Sequence, residues 1–260
     1  MTRKKYLSIL ILILTIFIFN CSGKSRTFTD DDAIVQSIKD RNMDSFKQLL
    51  KKYRINARND KDYTLLMLAS RWKRNDFVKY LLEQGAKVNL QDKEGNTALV
   101  FAIEFGRDDN VELLLDNGAD INIKPKNKSL FAFACDNLYL KTLKRLVKLG
   151  VDYSYKDEQG RNGIMLIIYS HRPSEFIDYF VELGLDVNEK DRNGETPLLW
   201  VCKSHNPFEY LETLLKYGAD PNITDKEGRT ALDTLHEFTG DYFNLSDLLI
   251  EAGGKRAKDF

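Results

Sequence analysis

Apolar residues recur along the chain as pairs set just ahead of a glycine. They are Leu81-Leu82 before Gly85, Leu114-Leu115 before Gly118, Leu146-Val147 before Gly150, Phe180-Val181 before Gly184, Leu214-Leu215 before Gly218 and Leu249-Ile250 before Gly253. Behind the first five glycines run GAKVN, GADIN, GVDYS, GLDVN and GADPN. A second, polar ladder stands at Thr64, Thr97, Ser129, Asn162, Thr196 and Thr230, with spacings of 33, 32, 33, 34 and 34. The octets DKEGNTAL (Asp92 to Leu99) and DKEGRTAL (Asp225 to Leu232) are its best-preserved copies. A pattern written six times at one period is a structural unit that stacks on copies of itself.

Each position in the unit predicts a piece of local structure. Asp at the start and Gly within DKEG suit a tight turn, the Gly taking positive φ. Asp62 and Asn127 replace that Gly in two copies, and both residue types tolerate the left-handed region. The Thr, Ser or Asn that follows caps a helix, and Pro197 sits at a first helical position where its missing N–H costs nothing. A first helix of about two turns runs to a loop near Lys73, Gly106 or His171. A second helix carries the apolar pair and stops at the ladder Gly. Helix pairs this short cannot bury an apolar stripe alone, so the copies must stack.

DKEGNTALVFAIEFGRDDNVELLLDNGADIN and its later copies resemble the ankyrin repeat. The resemblance implies an all-α solenoid of about seven stacked helix–loop–helix units with β-turn or hairpin fingers. It divides the chain into a leader (1–20), a polar tether (21–29), an N-terminal capping half-repeat (30–58) and six repeats (59–257), the last a cap. It also implies protein binding on a concave face built from turn tips and first helices. The family positions that point to a ligand hold Tyr63, Arg71 and Trp72, then Lys93, Glu94, Asn96, Glu104 and Phe105, with Tyr169 further on. Trp72 and Phe105 are expected side by side, while Leu68, Phe101 and Trp200, four after the cap, serve the interior. In the alternative arrangement Trp72 folds back over its loop, which has Lys73 in place of Gly.

The N-terminus departs from this pattern. Arg3, Lys4 and Lys5 precede the uncharged run YLSILILILTIFIF, and Cys21 follows as the second residue after it. The run is short for a bilayer span but suits the apolar core of an export signal. Its arrangement resembles the lipobox of bacterial lipoproteins, with Asn20 where a small residue is usual. That implies lipidation at Cys21 and a mature chain held on a bacterial membrane, at its periplasmic side or on the cell surface. An ordinary signal peptide and an uncleaved anchor are the alternatives. The Gly-Lys-Ser of CSGKS is no phosphate loop, because the Gly required five residues before Gly23 is Ile18.

Composition then narrows the function. Lys+Arg and Asp+Glu both number 39, which argues against nucleic-acid binding. Cys135 and Cys202 read as small buried fillers standing too far apart for a disulfide. His171 and His205 occupy matching loops, in SHRP and SHNP, but no further ligand completes a zinc set. No catalytic triad, paired-carboxylate site or nucleotide loop is present, so no cofactor and no enzymatic activity are expected. The distance from capping residue to ladder Gly grows from 21 in the first three copies to 22, 22 and 23 in the last three, with the extra residues assigned to the inter-helix loops. The reading is a monomeric, membrane-tethered scaffold that binds a protein. An accessory protein that protects a periplasmic enzyme is the alternative.

Overall fold

The computed structural model describes residues 25–124, 129–137, 139–204, 208–238 and 243–259. Strand β1 (Ser25–Thr27) is followed by helices α1 (Ala33–Lys39) and α2 (Met43–Leu50) and by strand β2 (Tyr53–Arg58). Helix pairs then succeed one another: α3 (Leu65–Arg71) with α4 (Asn75–Glu83), and α5 (Ala98–Glu104) with α6 (Asp108–Asp116). Next come α7 (Leu130–Asn137) with α8 (Leu140–Lys148), α9 (Gly163–Tyr169) with α10 (Glu175–Glu182), and α11 (Pro197–Cys202) with α12 (Phe208–Lys216). The last pair is α13 (Ala231–Phe238) with α14 (Phe243–Glu251), ahead of a short 3₁₀ turn (Ala257–Asp259). Two compact units result, Met1–Asp120 and Ile121–Phe260.

Within each unit the first helices of successive repeats pack in one layer and the second helices in another. Their sequences differ accordingly. A first helix packs on the first helix of a neighbouring repeat and on its own partner, and in α3 every residue from Leu65 to Ser70 is buried, a pattern that α5 and α9 repeat. An apolar run without a polar face is what such an enclosed helix requires. A second helix has one side in water and buries only a stripe, Phe77, Val78 and Leu81 in α4 or Thr142, Leu143 and Leu146 in α8. Phe46 of α2 meets Phe77 of α4 edge-on, with ring centroids 5.1 Å apart, and this contact joins the capping pair to the first full repeat.

The turn chemistry is uniform. Oδ1 of Asp92, Asp157, Asp191 and Asp225 each accepts from two backbone N–H groups, two and four residues on, at 2.8–3.0 Å. Asn59 does the same with its amide oxygen. Asp62 takes φ 69°, as its place in the turn demands; Asn127 lies outside the described residues. Thr64, Asn162, Thr196 and Thr230 cap their helices as expected. Thr97 does not: it makes no side-chain cap bond, and its hydroxyl is buried without a partner among the described residues. The last residue of the GADxN motif stitches repeats together. Asn188 accepts from the N–H of Asp220 and donates to the carbonyl of Gly218, and Asn89 and Asn222 make the same pair of bonds to their next repeats.

Two expectations are corrected. The stretch 21–29 is not a tether throughout. Ser25–Thr27 forms a strand parallel to Tyr53–Arg58, and Phe28 is buried edge-on to Tyr53, so part of the stretch read as a tether belongs to the fold. Among the described residues the fold is thus helical with one small two-stranded sheet. Trp200 is not interior but half-buried, for reasons given below. In the repeat capped by Asn162 the lengthening does fall between helices. Residues 170–174 separate α9 from α10, against 105–107 between α5 and α6.

Candidate functional site

In the first unit the expected face is built from cations laid over rings. The guanidinium of Arg71 sits 4.6 Å from the centre of the Phe105 ring, and the ammonium of Lys39 sits 5.7 Å from that of Trp72. In each pair the cation comes from one repeat and the ring from the next. It is therefore cation–π contact, rather than the neighbouring ring, that covers each aromatic, and Trp72 and Phe105 are both half-buried. The Trp72 loop has its own conformation. Lys73 has no φ in the left-handed region, whereas Gly106 at the matching place has φ 60°, and Trp72 instead extends to ψ 151°. With Lys in place of Gly the turn takes another form.

The other candidates of this unit divide clearly. Tyr63 packs edge-on against the buried Phe101 of the next repeat, centroids 5.0 Å apart, so one side of its ring belongs to the stack. Lys93 and Glu94 are exposed at the turn tip, with Lys93 Nζ donating to the carbonyl of Asp60. Glu104 is half-buried at the end of α5. Asn96 is a correction: only 2% exposed, it donates to both Asp92 and Glu94 and so holds its own turn instead of reaching a ligand.

The second unit carries a better-formed site. Tyr169 stands 59% exposed at the end of α9 and meets Trp200 of α11 edge-on at 6.2 Å. Behind both rings lies the guanidinium of Arg161, 4.5 Å from the Tyr169 centre and 5.4 Å from that of Trp200. Arg161 is itself fixed by Asp157 Oδ2 at 2.5 Å. Trp200 Nε1 donates to Asp191 Oδ2 at 3.1 Å. The two rings line a cleft of about 380 Å³ with Ile168, His171, Glu195 and Lys203. Lys203 and Glu195 are ion-paired, and the hydroxyl of Ser204 donates to the carbonyl of Val201. Each of these charges is therefore answered from within, and the exposed Tyr169 and half-buried Trp200 both rest against Arg161. Such a cleft suits an uncharged side chain and offers no activated nucleophile.

Trp200 was missed because Leu68, Phe101 and Leu166 stand at the same distance from their caps and are buried. The available signal was its indole N–H, which needs an acceptor that a hydrocarbon layer lacks. The turn carboxylate of Asp191 supplies one at the edge. Both described cysteines are buried and free, as fillers should be. Burial raises the Cys202 thiol to about 12 and pushes that of Cys135 well above its ordinary value, so both remain protonated near neutral pH. His171 takes φ 51° at the loop position of Gly106; His205, like Cys21, lies outside the described residues. Among the described residues no group of three or more His, Cys, Asp and Glu is placed to hold a metal, and no helix is long and apolar enough to cross a membrane.

Comparisons with known proteins fit this architecture. The family described as Ankyrin repeats (3 copies) matches residues 33–125, 130–225 and 164–253. Among solved structures, the human ASB11 ankyrin repeat domain superposes with a TM-score of 0.73 at 21% identity, covering 86% of this chain and 99% of that one. The ankyrin repeat domain of Bcl-3, a member of the IkappaB protein family, gives 0.65 at 19% identity, covering 86% and 100%. At these identities the likeness is one of fold. Among curated proteins no sequence matches. The turn, cap and inter-repeat stitching recur at the period over which the family matches, and the chain belongs to the ankyrin-repeat family.

Proposed function

We propose that this chain is a membrane-tethered, monomeric, non-enzymatic scaffold that binds a partner protein on the face formed by its turn tips and first helices. Ankyrin repeats are general protein–protein interaction modules. The observation that carries the reading is Tyr169, largely exposed yet backed by Arg161 and set beside Trp200. An aromatic already ordered before binding loses little entropy on contact, and Tyr and Trp in such settings dominate interface energies. The internally paired charges favour a partner that inserts an uncharged side chain, with the Arg71–Phe105 and Lys39–Trp72 pairs as a second contact area. Tethering rests on the basic start, the uncharged run and Cys21 behind it.

The test is quantitative capture. Tyr169→Ala should weaken binding of a partner isolated with the wild-type protein at least tenfold, the scale of a 2 kcal/mol hot spot being about thirtyfold. Its melting temperature should stay within a few degrees, since an exposed side chain contributes little to the core. Unchanged capture would sink the assignment of this cleft.

A further inference from the structure

We infer that the outer face of the capping helix pair rests on an anionic lipid surface, with a groove between Lys47, Lys51, Tyr53 and Tyr80 receiving a phosphodiester headgroup. The inference deepens the membrane-tethered reading and rests on it for the position of the anchor. From Lys47 to Arg58 the chain holds five Lys or Arg and no Asp or Glu. Lys47, Lys51 and Lys52 are exposed, whereas Arg58 is engaged with Asp62 and the carbonyl of Gln91. The acids nearby are Asp30, Asp31, Asp32, Asp40 and Asp44. Asp30 is paired with Lys61, Asp32 accepts from the Tyr53 hydroxyl at 3.2 Å, Asp40 accepts from Gln36, and Asp44 lies one turn before Lys47. Residues 25–58 thus keep eight Lys or Arg against five acids. At the other end of the same unit, Asp108 to Asp120 holds five acids and no base. The first unit is thus charged with opposite signs at its two ends, and an anionic surface would orient it.

The groove supplies the second observation. About 330 Å³ in volume, it is lined by Lys47 and Lys51, by the rings of Tyr53 and Tyr80, and by Leu50 and Ile55. Lys47 Nζ lies 5.2 Å from the Tyr80 ring centre. Cations beside tyrosines over an aliphatic floor match the boundary between headgroup and acyl chain, where aromatic side chains collect. The anchor supplies the third. In the parallel ladder Ser25 pairs with Tyr53, a residue that lines the groove. Cys21 is four residues earlier, a reach of at most about 14 Å. A lipid at Cys21 thus holds this face close to the membrane, where the surface potential acts over roughly one Debye length of 8 Å. Each exposed lysine should then strengthen contact about fivefold.

Lysine footprinting of the full chain tests this. The protein is mixed with vesicles of phosphatidylcholine alone or with phosphatidylglycerol added, recovered by flotation and acetylated by an amine-selective reagent. Labelling of Lys47, Lys51 and Lys52 should fall at least fivefold on the anionic vesicles and recover at about 0.5 M salt. The exposed Lys226 and Lys258 should be unaffected. Equal labelling on both vesicles overturns the proposed face while leaving the anchor intact. Flotation with neither overturns both. Flotation with anionic vesicles alone, lost in the Lys47→Gln/Lys51→Gln/Lys52→Gln variant, upholds the face and sinks the anchor.

Discussion

Asp225 shows how much one repeated residue does. Its side chain is enclosed, Oδ1 accepts from the N–H groups of Glu227 and Arg229, and Oδ2 faces the Arg229 guanidinium at 2.8 Å. Burial alone would raise its pKa, but the bonds from the Arg229 N–H and guanidinium outweigh it and hold the carboxyl below its ordinary value. A lowered folded value stabilises the protein above the unfolded pKa near 4, and this is lost as pH falls through the folded value. Asp225→Ala should therefore cost about 2 kcal/mol by denaturant titration at neutral pH. Asp225→Asn, which keeps an oxygen for both N–H groups, should cost roughly half as much. The gap between wild type and Asp225→Asn should stay flat from about pH 8 to 5 and close below about pH 4. A gap that widens in acid would contradict the assignment. This residue was legible in sequence because its partners lie within four positions. Trp200 was not, since its acceptor Asp191 stands nine positions back and its ring contact Tyr169 lies in the preceding repeat. Asn96 was assigned outward by family position, although its partners are as local as those of Asp225.

Elements were legible to the degree that their burial is local. GIMLIIY is a continuous apolar run and forms the enclosed helix α9, whereas LKTLKRLVK spaces its apolar residues among bases and forms α8, with one face in water. Strand β1 was hidden because Ser-Arg-Thr has no alternating pattern, and its order comes from pairing with Tyr53–Arg58. The inter-repeat bonds explain why GADxN ends in Asn, and the one copy that differs is informative. In GVDYS, Ser154 donates to Asp152, two residues back, with a side chain too short to copy the clamp of Asn188. Ser154→Asn should restore the clamp and stabilise the protein by about 1 kcal/mol, read as a higher denaturation midpoint at unchanged slope. Asn188→Ala should lose a similar amount or more. If Ser154→Asn were neutral while Asn188→Ala destabilised, the clamp would be real but its geometry would not transfer between repeats.

For the whole molecule, the repeat period made the family legible, and family positions had already named Tyr169, though not the cleft it forms with Trp200. Most of the family positions fall in the first unit, yet its rings are half-buried under Lys39 and Arg71, and the more exposed aromatic, Tyr169, stands in the second unit. Recognition by fixed rings in that cleft is the central claim. It is tested most directly by a photo-crosslinking phenylalanine analogue placed at Tyr169 in the native host, with Tyr139 as a control that is 73% exposed. One discrete protein adduct should form at position 169, be lost with Trp200→Ala, and be absent from position 139. Equal adducts at both positions, or one at 169 that survives loss of Trp200, would contradict the account.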